Sequence, residues 1–276
     1  MIGQNMIRQT MSNAWNEGKF PHFCLLIGAK GSGRKTLLKD LFDGIYLENN
    51  KIDSVRAMIT LAHQVNSRVF IMPDVDTMSP SGKQALLKVI EECPNNNYFI
   101  MTIQDIANVP STIRSRGQIF RMGVYTPAEI REYVMHYLFS VGDEKKLELV
   151  CKLAETPGEA NTLWNCDVFA LYDFAKSVFN SIATVSGANS FKIADRLSMK
   201  DDDGKWDIQM FLKIFSHLCI DAVVNHELDE SDLNDLVKYG KGCSIASKYI
   251  QQLRIVGINK QFLVDSWILE MRREWM

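Results

Sequence analysis

Apolar positions follow one pattern up to about residue 123 and another after it. In the first part, short apolar runs at 23–27, 68–72 and 98–102 are too short for helices, which predicts buried parallel strands, and 118–122 reads as a last strand. Helical periods fall between and before them. Ile2, Met6, Ile7, Met11, Ala14 and Trp15 predict a helix over 2–19 that ends near Gly18. Leu37, Leu38 and Leu41 mark a second helix, Val55, Met58, Ile59 and Ala62 a third over 52–64. Ala85, Leu86, Leu87, Val89 and Ile90 mark a fourth, opened by Ser79-Pro80 and stopped before Pro94. A helix and loop over 106–116 precede the last strand. Strands alternating with helices predict an α/β domain with a mostly parallel sheet over 1–123. Beyond Gly123 the strand signals stop. Thr126-Pro127-Ala128-Glu129 is a helix start with the capping-box spacing. Helical stretches broken at Gly142 and Pro157-Gly158 predict a small helical domain over 124–166. The remainder, 167–276, reads as a third, all-helical domain with breaks at Gly187, Asp201 to Gly204, Gly240 to Gly242 and Gly257.

Between the first strand and the second helix lies Ile27-Gly28-Ala29-Lys30-Gly31-Ser32-Gly33-Arg34-Lys35-Thr36. A strand, a glycine-rich loop and a helix form the context of a phosphate-binding loop, in which backbone amides and the helix N-terminus attract an anion. Gly28, Gly31 and Gly33 fit that pattern. Arg34, however, stands where the pattern has lysine, Lys35 where it has serine or threonine, and Thr36 comes one place late.

Composition adds limits. Of 276 residues, 46% are hydrophobic and 23% charged, the balance of a globular protein. A net charge of −2 argues against a chain-wide nucleic-acid-binding field and leaves room for a local basic patch. The six cysteines form no CxxC pair and read as buried reduced thiols. The five histidines show no metal spacing, so no metal site is expected. Neither a signal-like leader nor a run long enough to cross a membrane is evident, and a cytoplasmic protein is expected.

The order of motifs resembles the clamp-loader branch of the AAA+ ATPases, and within it the delta-prime subunits. Ile2-Gly3-Gln4 opens the domain as in that family, and Phe20-Pro21-His22 leads into the loop strand. Met78-Ser79 followed by Gln84 to Pro94 is similar to the helix after the Walker B strand; Tyr98 to Thr102 is similar to the sensor 1 strand. Thr112-Ile113-Arg114-Ser115-Arg116-Gly117 resembles the Ser-Arg-Cys motif with Gly117 in place of cysteine, and Gly257 to Val264 resembles the last collar helix. The resemblance implies an AAA+ P-loop domain, a helical lid domain and a helical collar.

It also implies roles. In a working loop the lysine reaches the β- and γ-phosphates and the hydroxyl holds Mg²⁺. Here Arg34 is a wide planar fork, and Lys35 puts a cation where a cation should bind. Pro73 takes the place of the Walker B aspartate, Asp74 that of the catalytic glutamate, and Asp76 lies two further on. Thr102 is sensor 1-like, while Glu159 falls near the sensor 2 arginine position, where it would repel phosphate. The expected chain therefore carries no cofactor of its own. Instead, Arg116 would act as an arginine finger on the ATP and Mg²⁺ of a neighbouring subunit; the plain alternative is a surface arginine or a salt bridge to a nearby acid. Ser79 and Lys83 are candidates for contact with a DNA backbone, against ordinary N-capping by Ser79. A four-cysteine zinc module, which the resemblance places after the loop helix, is not expected in 43–51. Expected partners are ATPase and delta-like loader subunits, a sliding clamp and primer-template DNA, with no membrane. The competing reading is an ATP-binding or ATP-hydrolysing clamp or helicase loader with a variant loop.

Overall fold

The computed structural model describes residues 2–183, 193, 197, 207–224, 233–253 and 258–275. The expected breaks at Gly187, Asp201 to Gly204 and Gly257 lie outside the described residues. Among those described, the strands β1 (Phe23–Ile27), β2 (Gly44–Tyr46), β3 (Val69–Met72), β4 (Tyr98–Ile103) and β5 (Gln118–Arg121) form one sheet in the order β2-β3-β4-β1-β5. Every pair is parallel.

Both faces of this sheet are covered, which is why its inner strands read as continuous apolar runs. On one face α1 (Asn5–Asn16) and α2 (Arg34–Leu41) bring Ile7, Met11, Leu37 and Leu38 onto Cys24, Leu26, Ile71 and Ile100. On the other, α3 (Ile52–Ala62) and α4 (Pro80–Glu92) bring Val55, Met58, Leu86 and Ile90 onto Leu25, Phe70, Phe99 and Met101. The strand β2 was not expected. It is three half-buried residues at the sheet edge, too short for a periodicity, and Gly44 lets the Ile71 side chain pack close, since a Cβ there would lie 2.5 Å from Ile71 Cδ1.

The short α5 (Ser111–Arg114) precedes β5, and α6 (Pro127–Tyr137) follows it. The expected capping box is present: the Glu129 amide donates to Thr126 Oγ1 at 3.2 Å, and the Thr126 amide to Glu129 Oε2 at 2.8 Å. Then come α7 (Glu144–Leu153), α8 (Pro157–Trp164), α9 (Val168–Ser181), α10 (Ile208–Val224), α11 (Leu233–Gln252) and α12 (Lys260–Trp275).

By compactness the chain divides into two units, 1–140 with 154–161, and 141–153 with 162–276. The stretch 124–166, expected as a domain of its own, is shared between them. In the second unit Trp267 is fully buried, with ring centroids 5.5 Å from Phe211 and 5.0 Å from Phe215. The break expected at Gly240 to Gly242 does not occur, because α11 runs through it. Gly242 is instead a close-packing residue: a Cβ there would lie 2.8 Å from Trp275 Cζ2 and 3.0 Å from Cys219 Sγ.

Candidate functional site

The parallel register aligns the carboxyl ends of β1, β3 and β4, with Ile27 opposite Ile103 and Met72 opposite Met101. Ligand sites of open α/β sheets lie at that edge. The glycine-rich loop, Asp74 and Thr102 converge there and line a cavity of about 790 Å³. Gly31 and Gly33 hold φ of 81° and 85°, where a Cβ is disfavoured. Gly28 serves packing: a Cβ there would lie 2.6 Å from Met122 Cγ.

The loop is pinned by contacts from later in the chain. Its carbonyls at Lys30, Gly31 and Ser32 accept from Thr156 Oγ1 at 3.1 Å, the Gly158 amide at 3.0 Å and the Tyr125 hydroxyl at 2.8 Å. Burial pushes the Tyr125 phenol up to about 12. Gly158 is required for this approach, since a Cβ would lie 2.4 Å from Gly31 Cα. In the sequence, Pro157-Gly158 signals only a helix break.

Arg34, at the start of α2, is 7% exposed and turned to Asp74, donating from Nη2 to Oδ1 at 2.9 Å. Lys35 Nζ lies 3.8 Å from the other oxygen, Oδ2. Burial lowers the Arg34 pKa from its ordinary value, and Asp74 and Asp76 oppose the shift. The Asp74 amide donates to the buried Thr102 hydroxyl at 3.0 Å. Asp76 turns away from the cavity, where its Oδ2 accepts from the amides of Gln104 and Asp105 at 3.1 and 3.2 Å. A divalent cation does not fit this donor set. The carboxylate nearest the loop faces two cations, and the other closes a turn.

Glu159 does not line the cavity either. Its Oε2 accepts from the Glu155 amide at 3.1 Å and its own amide donates to Thr156 Oγ1 at 3.3 Å, the work of a helix start. Asn161, Gln104 and the side chains of Ile2, Tyr133, Tyr137 and Leu138 complete the wall. Ile2 belongs to the opening Ile2-Gly3-Gln4 motif, while Gln104, Tyr133, Tyr137 and Leu138 had no motif to reveal them; only folding brings them to the loop.

Ser79 is the N-cap of α4, its Oγ accepting from the Gly82 amide at 3.2 Å. Lys83 Nζ donates to the carbonyls of Asp76 and Asn108, each at 2.9 Å. Burial lowers the Lys83 pKa from its ordinary value, partly offset by Asp76. Arg116 lies outside the cavity lining, with its side chain 40% exposed. Nη1 donates to Thr112 O at 2.7 Å and Nη2 lies 2.8 Å from Glu91 Oε1, so the salt bridge weighed from the sequence is formed in this chain. Gly117 has a local reason: a Cβ there would lie 2.7 Å from Phe23 Cε1.

A family model described as DNA polymerase III, delta subunit, matches residues 47–125. The chain is 25% identical over 193 residues to the DNA polymerase III subunit gamma of Buchnera aphidicola subsp. Schizaphis graminum, covering 56% of this chain and 53% of that protein. It is 24% identical over 164 residues to the DNA polymerase III subunit delta' of the same organism, covering 56% and 48%. The chain thus spans about half the length of these curated relatives. The fold is similar to that of a DNA polymerase III, gamma subunit-related protein from Thermotoga maritima, at TM-score 0.51 and 14% identity over 98% of this chain and 99% of that one.

Proposed function

We infer that this chain, which resembles the AAA+ clamp-loader subunits of delta-prime type, is a non-hydrolysing member of a heteromeric clamp loader. The observation that carries the first half of this reading is the Arg34–Asp74–Lys35 cluster. A hydrolytic site needs a carboxylate free to orient water and a divalent cation between protein and phosphates. Here the carboxylate is engaged by protein cations. The bound of Walker-type chemistry is therefore missed by its electrostatics, while the loop still serves the fold.

The second half is that Arg116 acts in trans. Two of its five N–H groups are held by Glu91 and Thr112, which leaves an exposed edge that could meet a phosphate of a neighbouring subunit. Sister ATPase subunits, a sliding clamp and primer-template DNA are the partners this reading requires. Lys83 keeps one N–H for a DNA phosphate beyond its two carbonyl bonds.

The experiment is reconstitution with the subunits that co-purify with this chain. Purified alone, the chain shows no ATPase activity; turnover that Asp74→Ala abolishes would favour the competing reading of an active loader. In the complex, Arg116→Ala lowers turnover at the one ATP site it would serve by about a thousandfold, the scale of an arginine finger, and DNA-stimulated ATPase falls by that site's share. An unchanged rate leaves only a scaffold.

A further inference from the structure

We propose that Glu91 is the positioning residue of Arg116, holding its guanidinium aimed for a phosphate of a neighbouring subunit. This positioning role rests on the trans role inferred for Arg116. The backbone at Arg116 is fixed on both sides. Its amide donates to Ile113 O at 3.2 Å, and Gly117 packs on Phe23, where a Cβ would lie 2.7 Å from Cε1. The long side chain is then held at two points, by Thr112 O on Nη1 at 2.7 Å and by Glu91 Oε1 beside Nη2 at 2.8 Å. An unheld surface arginine samples many rotamers, and a group that must meet a transition state loses rate when its position spreads.

Glu91 stands in a poor place for a carboxylate. It lies in the last turn of α4, which carries Glu91 and Glu92 and no basic residue, although the helix dipole there favours cations. Residues that break a local rule collect at functional sites. Glu92 lies 3.8 Å from Lys88, one turn back on its own helix, whereas Glu91 reaches across to Arg116. The contact also has the form of a guide and not of a mask. A masking carboxylate would take the guanidinium fork on fork. Here the close approach is by one oxygen, Nη1 goes to a backbone carbonyl, and three N–H groups of Arg116 are left for phosphate oxygens. What Glu91 supplies is an acceptor at the right distance, and its negative charge is dispensable.

The test uses the loader reconstituted with the subunits that co-purify with this chain. ATP turnover is read at the site Arg116 would serve, with the other ATPase sites of the complex inactivated. Arg116→Ala comes first: an unchanged rate overturns the trans role and the positioning role with it. Given a loss there, Glu91→Ala lowers kcat about fivefold at unchanged KM for ATP, the full strength of a half-exposed ion pair. Glu91→Gln keeps the side-chain length and an acceptor oxygen, and restores the wild-type rate. Glu92→Ala removes the neighbouring carboxylate of the same turn and leaves kcat unchanged. In an Arg116→Ala background Glu91→Ala costs nothing further. A rate unchanged by Glu91→Ala overturns the positioning role, and so does a raised rate, which would make Glu91 a mask. An equal loss in Glu91→Gln or Glu92→Ala, or a loss that persists without Arg116, overturns it too. In each of these cases Arg116→Ala has already lowered turnover, so the trans role stands.

Discussion

Arg34 and Asp74 share one ion pair but not one environment: their side chains are 8% and 29% exposed. Removing one partner of an ion pair strands the other charge, and the cost rises with how deeply the stranded charge is buried. Asp74→Ala is therefore expected to cost about 2–3 kcal/mol, somewhat below a fully buried case because Asp74 is partly exposed. Arg34→Met is expected to cost about 1 kcal/mol or less, since the carboxylate left behind reaches water and Lys35. Urea unfolding of the two variants measures the asymmetry; equal losses would show that the pair does not carry the difference. At Lys83 the expectation is smaller and concerns DNA. If its remaining N–H meets a phosphate, Lys83→Ala in the assembled loader lowers the salt slope of DNA binding by about one unit. An unchanged slope removes that contact.

At the scale of elements, α11 offers an internal comparison. It contains Gly240 and Gly242, and glycine costs a helix interior about 1 kcal/mol against alanine. Around Gly240 a Cβ would meet nothing within 4 Å, so Gly240→Ala is expected to stabilise the chain by about 0.5–1 kcal/mol. Around Gly242 a Cβ would press on Trp275 and Cys219, and overpacking of about 1–3 kcal/mol outweighs the helix gain, so Gly242→Ala destabilises. Opposite signs of the two shifts in thermal midpoint check this directly. The same steric argument applies to α8. Gly158→Ala drives a methyl into the Gly31 backbone, which cannot move aside as a side chain could. It is expected to cost about 2–3 kcal/mol and to loosen the loop. Amide exchange at residues 30–33 would report that loosening; unchanged protection would contradict it.

At the scale of the whole molecule, the acid side of the stability profile should depend on the second unit. Lys248 hydrogen-bonds to Glu270 and holds its carboxyl below the ordinary range, with Tyr249 donating to the same carboxylate. A carboxyl depressed in the folded state stabilises the fold above its unfolded value of about 4.3, and loses that contribution as pH falls through its folded value. Glu270→Gln should therefore flatten the loss of stability below about pH 4.5. The effect is small because the carboxylate is near the surface. A profile unchanged in slope would move the acid sensitivity elsewhere. Among the described residues no helix is long and apolar enough to cross a membrane.

Much of the first unit could be read from the chain itself. The runs that became β1, β3 and β4 are apolar on both faces because helices cover both faces, and that is a local property of composition; the edge strand β5 buries only Phe120. The capping box at Thr126 and the start of α4 at Ser79-Pro80 were legible because caps are set by residues three apart. The strand β2 was not, since three half-buried residues carry no period. Nor was the continuity of α11, since a glycine that ends a helix and one that admits a tryptophan look alike until the tryptophan is placed.

For the site, the sequence by itself determined the strand–loop–helix and the misplacement of Arg34, Lys35 and Thr36, because the loop is a run of neighbours. Only the tertiary structure decided what those substitutions do. Arg34 finds Asp74 across 40 residues, Tyr125 reaches Ser32 across 93, and Thr156 reaches Lys30 across 126. A charge in a sequence has no partner until the fold brings one within hydrogen-bond distance, and burial then determines how strongly the two are held.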